Sequence, residues 1–119
     1  MPHIRLEHTI EVSTNLASNL FEKIVHILTT STTIQSTNCK SRAIKINNFH
    51  MGSNNHNNFI HLEIILLEGR SNEIKQKIGK EIIILLKDSF QQSSKDDYIQ
   101  ISAEIREMNK KHYFTTNSI

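Results

Sequence analysis

The first pattern along the chain has a period of two. In residues 3–9 (HIRLEHT), Ile4 and Leu6 fall on one side and Arg5 and Glu7 on the other, which predicts a strand. The period then lengthens. Leu16, Leu20, Ile24 and Leu28 recur at every fourth position, and Phe21, Val25 and Ile27 widen the stripe. Residues 13–31 therefore read as an amphipathic helix with Ser13 or Thr14 at its N-cap. The polar run TTIQSTN ends the pattern. Residues 41–49 alternate again, with Ile44 and Ile46 on one face and Ala43 and Lys45 on the other. Residues 50–58 (HMGSNNHNN) read as a loop because Gly52 and the Asn/Ser cluster favour turns. Residues 59–67 (FIHLEIILL) form the strongest predicted strand. Glu68-Gly69-Arg70-Ser71 turns the chain, and Ser71 is placed to cap a second helix running to about Phe90, with Ile74, Ile78, Ile82, Leu85 and Leu86 inward. After a loop at QQSSKDD, residues 98–107 (YIQISAEIRE) alternate as the last strand. The tail, residues 109–119, is polar, with Tyr113 and Phe114 available as anchors.

The order is β-α-β followed by β-α-β. Each half is a crossover unit, which favours a right-handed connection and parallel strands. The expected fold is α/β (α+β), with two βαβ units forming a four-stranded mixed sheet and both helices on one face, over residues 1–119 as a single domain. The helix-facing set is Ile44 and Ile46, then Ile60, Leu62, Ile64 and Leu66, then Ile99, Ile101, Ala103 and Ile105. The opposite face mixes Lys45, His61, Glu63, Glu104 and Arg106 with Phe59, Ile65, Leu67 and Tyr98. Such a surface is too apolar to be simply solvated and too charged for a monomer core. A symmetric homo-oligomer accounts for it, and a half-wetted sheet face is the alternative.

Composition narrows the class. The 119 residues carry a net charge of only +2, with both signs interspersed, so no basic stripe for nucleic acid is present. The single cysteine, Cys39, excludes an internal disulfide and suits a reducing compartment. His3, Arg5, Glu7 and His8 interrupt any apolar leader, and the longest apolar runs are far too short to span a bilayer. A soluble, cytoplasmic protein without membrane or nucleic-acid partners is expected.

Few residues offer chemistry. Of the four arginines, Arg42 opens the second strand and Arg70 sits in the turn before the second helix. Neither position is required by packing, and a guanidinium fork suits a carboxylate or phosphate; position alone leaves a plain surface role open for both. Seven histidines invite a metal reading, with His50, His56 and His61 closest together. No HxH, HExxH or CxxC occurs, however, and no carboxylate completes a set at ligand spacing in the sequence. Cys39 has no nucleophile motif around it, and without GxGxxG or a P-loop no nucleotide cofactor is implied.

The only proline, Pro2, follows the initiator methionine directly and leads straight into a strand. Removal of Met1 would leave it as a free secondary amine. Met1-Pro2-His3, Ser41-Arg42, Met51-Gly52, Phe59-Ile60-His61-Leu62, Gly69-Arg70-Ser71, Glu104-Ile105-Arg106-Glu107, and Phe114 with Asn117 occur in that order along essentially the whole chain. Together they resemble the tautomerase superfamily, and within it the 5-carboxymethyl-2-hydroxymuconate delta-isomerase family. The resemblance implies a homotrimer packed through its sheets. It also implies a cofactor-free keto-enol isomerase in which Pro2 is the general acid/base, with Arg42, Arg70 and Phe114 binding a small unsaturated carboxylate. The pathway implied is the breakdown of aromatic compounds.

Some residues depart from the family's pattern. Thr115 and Thr116 stand where basic residues often follow the phenylalanine, Lys110 stands where a proline is often found, and residues 53–58 are rich in Asn. These departures leave the proline chemistry intact and bear on the substrate. The alternatives are a tautomerase with a different substrate, and a trimeric binding module that keeps the fold without useful catalysis.

Overall fold

The computed structural model describes residues 2–52, 57–90 and 99–118. The elements run β1 (His3–His8), α1 (Thr14–Ser31), β2 (Lys40–Lys45), β3 (Asn58–Leu67), α2 (Asn72–Phe90) and β4 (Ile99–Met108), with short 3-10 turns at Ser36–Asn38, Lys110–His112 and Thr116–Ser118. The sheet order is β2-β1-β3-β4. β1 pairs parallel with β2 and β3 parallel with β4, while β1 and β3 pair antiparallel at the centre. This is the expected mixed sheet of two βαβ units.

Alternation within the central strands builds the core. Ile4 and Leu6 of β1 and Ile60, Leu62, Ile64 and Leu66 of β3 are fully or almost fully buried. Leu20, Ile24 and Leu28 of α1 and Ile78, Ile82, Leu86 and Phe90 of α2 cover them, so both helices lie on one face. Removing each such Leu or Ile side chain from water stabilises the fold by about 1.5–3 kcal/mol. Among the described residues, no helix is long and apolar enough to cross a membrane.

The helix ends follow from local hydroxyl chemistry. Ser13 Oγ accepts the Leu16 amide at 3.1 Å and Ser71 Oγ accepts the Ile74 amide at 3.3 Å, each satisfying an otherwise unpaired first-turn donor. At the other end of α1, threonines replace a glycine cap. Thr30 Oγ1 donates to the His26 carbonyl at 2.9 Å and Thr32 Oγ1 to the Leu28 carbonyl at 2.6 Å. Gly69, with φ +123°, turns β3 toward α2 in a region that side chains other than glycine's rarely enter.

The second strand departs from the sequence reading. It ends at Lys45 rather than continuing to residue 49. Its faces are also reversed: Ala43 pairs with buried Leu6, whereas Ile44 pairs with Glu7 on the open face. Ile44, and by alternation Ile46, therefore leave the helix-facing set, and Lys45 joins that side, where it forms an ion pair with Glu11. The reason is that β2 is an edge strand. Its helix-side residues Ser41 and Ala43 remain exposed, so burial does not dictate which way its isoleucines point. The last strand begins at Ile99 and extends to Met108, while the loop at 91–97 and Tyr98 lie outside the described residues.

Leu62→Ala, at the centre of β3, is expected to destabilise the protein by about 2–5 kcal/mol, read from urea unfolding. Ile44→Ala, on the exposed edge strand, is expected to cost far less.

Candidate active site

Pro2 sits one residue before β1, is buried, and its carbonyl accepts the Lys40 amide at 3.0 Å. The antiparallel register sets His3 opposite Ile65, so the start of β1 lies beside the end of β3 and the turn into α2. That turn carries Arg70. Pro2 and Arg70 consequently line one cavity of about 300 Å³, closed by Thr33, Ile34, Gln35 and Asn38 from the connection between α1 and β2. A second cavity of about 520 Å³ shares Thr33 and Arg70 and continues past Gly69, Ser71 and Lys110.

The arginines divide into two kinds. Arg5 bonds to Glu7 at 3.3 Å, and Arg106 reaches both Glu63 at 3.5 Å and Glu104 at 3.0 Å, all on the open face of the sheet. Arg42 and Arg70 have no carboxylate within ion-pair distance among the described residues, although the Arg70 cation, after the hydrogen bond from Lys75, helps hold Glu107 below its ordinary pKa. Arg70 is half-buried, with Nη1 donating to the Leu67 carbonyl at 2.9 Å, which fixes the head and leaves its other N–H groups without a hydrogen bond among the described residues.

Arg42 does not line the Pro2 cavity within one chain. It is exposed on β2, across from Arg5, and its Nη1 donates to His3 Nδ1 at 3.2 Å. Because a guanidinium only donates, His3 Nδ1 must be the acceptor, and Nε2–H then donates to the Tyr113 hydroxyl at 3.0 Å. The two rings also meet edge-on, with centroids 5.9 Å apart. Tyr113 thus anchors the tail beside Pro2. Phe114 does not anchor on its own chain; it is 75% exposed. Burial first, then the Arg42 and Lys40 cations, hold the His3 imidazole below its ordinary pKa, in the neutral form this relay requires.

The structure also brings together residues that sequence spacing separates. His61, Glu63 and Glu104 have ligand atoms within 4.8 Å of one another, so carboxylates do accompany one of the histidines. The Arg106 guanidinium occupies both carboxylates, and His61 Nδ1 lies 2.7 Å from Ser102 Oγ. His56 lies outside the described residues. Burial raises the pKa of the Cys39 thiol, which favours its protonated form.

Two βαβ units joined in the strand order β2-β1-β3-β4, with both helices on one face, form a tautomerase-type fold. The sequence profile of the 5-carboxymethyl-2-hydroxymuconate isomerase family matches residues 2–119, and the chain belongs to that family. A 5-carboxymethyl-2-hydroxymuconate isomerase from Deinococcus radiodurans R1 superposes with a TM-score of 0.82 at 24% identity, over 97% of this chain and 88% of that one. A 5-carboxymethyl-2-hydroxymuconate delta-isomerase superposes at 0.78 with 10% identity, over 98% of this chain and 87% of the other. A fused 4-OT, described as a wild-type symmetric trimer, superposes at 0.74 with 12% identity, over 98% and 96% of the two chains. No curated protein matches the sequence. Family and fold together support an isomerase or tautomerase function.

The His3 relay predicts a pH dependence. An unfolded histidine takes up a proton more readily than His3 does, so this contribution is present above about pH 6.5 and is lost as pH falls through the lowered native value. The thermal midpoint of the parent is expected to drop more between pH 7 and pH 5 than that of His3→Gln. Parallel profiles would remove this role for His3.

Proposed function

We propose that this protein is a cofactor-free keto-enol tautomerase of 5-carboxymethyl-2-hydroxymuconate or a similar unsaturated enol carboxylate, with the Pro2 nitrogen as general acid/base. The observation that carries the reading is the shared cavity of buried Pro2 and Arg70. Removal of Met1 makes the Pro2 nitrogen a secondary amine. A free α-amine titrates near about 8, and burial beside a guanidinium favours its neutral form. The neutral nitrogen takes the proton from the enol hydroxyl, the electron pair moves along the conjugated system, and the resulting ammonium returns the proton to the distal carbon. The product is an isomer, and the amine is regenerated. Arg70 binds a carboxylate and stabilises the negative charge that develops on the enolate oxygen.

The remaining assignments depend on assembly. The open sheet face combines the Arg5, Glu63, Glu104 and Arg106 charges with partly buried Ile65 and Leu67, which suits a polar subunit interface. We place a homotrimer contact there. In that assembly, exposed Arg42 and Phe114 serve as substrate-binding residues of a site completed by a neighbouring protomer.

The first test follows the ultraviolet absorbance of the enol, using protein whose mass shows Met1 to be absent. Pro2→Ala, which keeps a primary amine, is expected to lower turnover by about 10²-fold or more with the assembly unchanged. Arg70→Ala is expected to raise KM by about tenfold or more through the lost carboxylate contact, and to lower kcat as well through the lost stabilisation of the enolate. Parent rates in both variants would refute the site.

A further inference from the structure

The arginines on the open side of the sheet are held by two kinds of partner. Arg5 and Arg106 bond to glutamates, which orient the guanidinium and also offset its charge. Arg42 is held by a neutral group instead, with Nη1 donating to His3 Nδ1 at 3.2 Å. It lies exposed on the edge strand β2, where a long side chain without a partner samples many rotamers. One neutral acceptor removes much of that freedom and leaves the charge whole. A glutamate partner could not combine those two properties, and a group that must meet a carboxylate needs both.

The contact works in only one tautomer of the imidazole. A guanidinium has donors alone, so Nδ1 must present its lone pair and the ring proton must sit on Nε2. Which nitrogen carries the proton is set by the bond that the other one makes. Here Nε2 lies 3.0 Å from the hydroxyl of half-buried Tyr113, which accepts the proton. Were the hydroxyl to donate, Nδ1 would carry the proton and face another donor. The edge-on contact of the two rings fixes the imidazole plane as well. The other charged groups that act on the ring are Lys40 of β2 and the chain's α-amino group, and β3 sets apolar Ile65 opposite His3. All of these charges are positive, so no neighbouring anion draws a proton onto the ring.

We propose that His3 is a positioning residue for the tautomerase reaction: its Nδ1 lone pair, kept bare by the bond from Nε2–H to Tyr113, holds the Arg42 guanidinium in place for a substrate carboxylate. Tyr113 acts one step further back, as the group that selects the tautomer. The inference rests on the reading of Arg42 as a substrate-binding residue of a site completed by a neighbouring protomer.

Two measurements test it. Nitrogen-15 spectra of histidine-labelled protein at about pH 8, above the ordinary histidine pKa, read the tautomer directly. His3 is expected to be Nε2-protonated in the parent, and Tyr113→Phe, which keeps the ring and loses the hydroxyl, is expected to populate both tautomers. Steady-state kinetics on the enol acid then read the consequence. His3→Leu is expected to raise KM by about fivefold with kcat within about twofold, as when one rotamer-rich side chain must be ordered by the substrate itself. His3→Gln, which keeps an acceptor for Arg42 and a donor for Tyr113, is expected to restore the parent KM. In the Arg42→Ala background, His3→Leu is expected to change KM by less than about twofold, because the group that it positions is gone. An equal effect of His3→Leu in both backgrounds shows a general structural role, of folding or assembly, and overturns the inference. An Nδ1-protonated His3 in the parent overturns it too. Arg42→Ala with the parent's KM refutes Arg42 as a substrate ligand, and the role of His3 falls with it; a raised KM in Arg42→Ala beside a parent-like His3→Leu refutes the positioning alone.

Discussion

The antiparallel pairing of β1 with β3 is the constraint on which the rest depends. Each βαβ unit is locally parallel, so each half could form from its own crossover. Joining the halves through β1 and β3, with Leu6 opposite Leu62, closes a common core beneath both helices. The same register sends the start of the chain to the end of the sheet where β3 turns into α2. Burying Leu6 against Leu62 and bringing Pro2 beside Arg70 are therefore one structural event.

Charge is distributed according to the same geometry. On the open face, Arg5 and Arg106 are neutralised by glutamates on their own or neighbouring strands. These pairs are partly solvated, and such pairs contribute little stability each. Their effect is to offset the arginine charges while leaving the face polar. Arg70, at the end of the sheet, has no carboxylate within ion-pair distance among the described residues; the nearby Glu107 carboxylate is paired with Lys75. Core stability comes from the buried isoleucines and leucines.

The tail joins this end of the molecule through one directed relay. Arg42 on the edge strand donates to His3, and His3 donates to Tyr113. A histidine at the start of β1 thereby ties the edge strand to the segment that carries Lys110. The relay needs neutral imidazole, and burial together with the flanking cations maintains it.

By itself the sequence determined the elements and the fold. Strand and helix periods are local properties, and in β1, β3, α1 and α2 the apolar positions are so regular that only one face can be buried. Pro2 and Arg70 were legible as candidates because a penultimate proline and a turn arginine are unusual in position and matched a family pattern. Which face of β2 turns toward the helices was not legible, because an edge strand with Ser41 and Ala43 exposed gains little from either orientation. Nor were the His3–Tyr113 contact, the placement of His61 beside Glu63 and Glu104, and the meeting of Lys110 with Arg70. Those juxtapose residues far apart in the chain, and only the sheet register and the course of the tail bring them within hydrogen-bonding or ion-pairing reach, where forces that act over a few ångströms take effect.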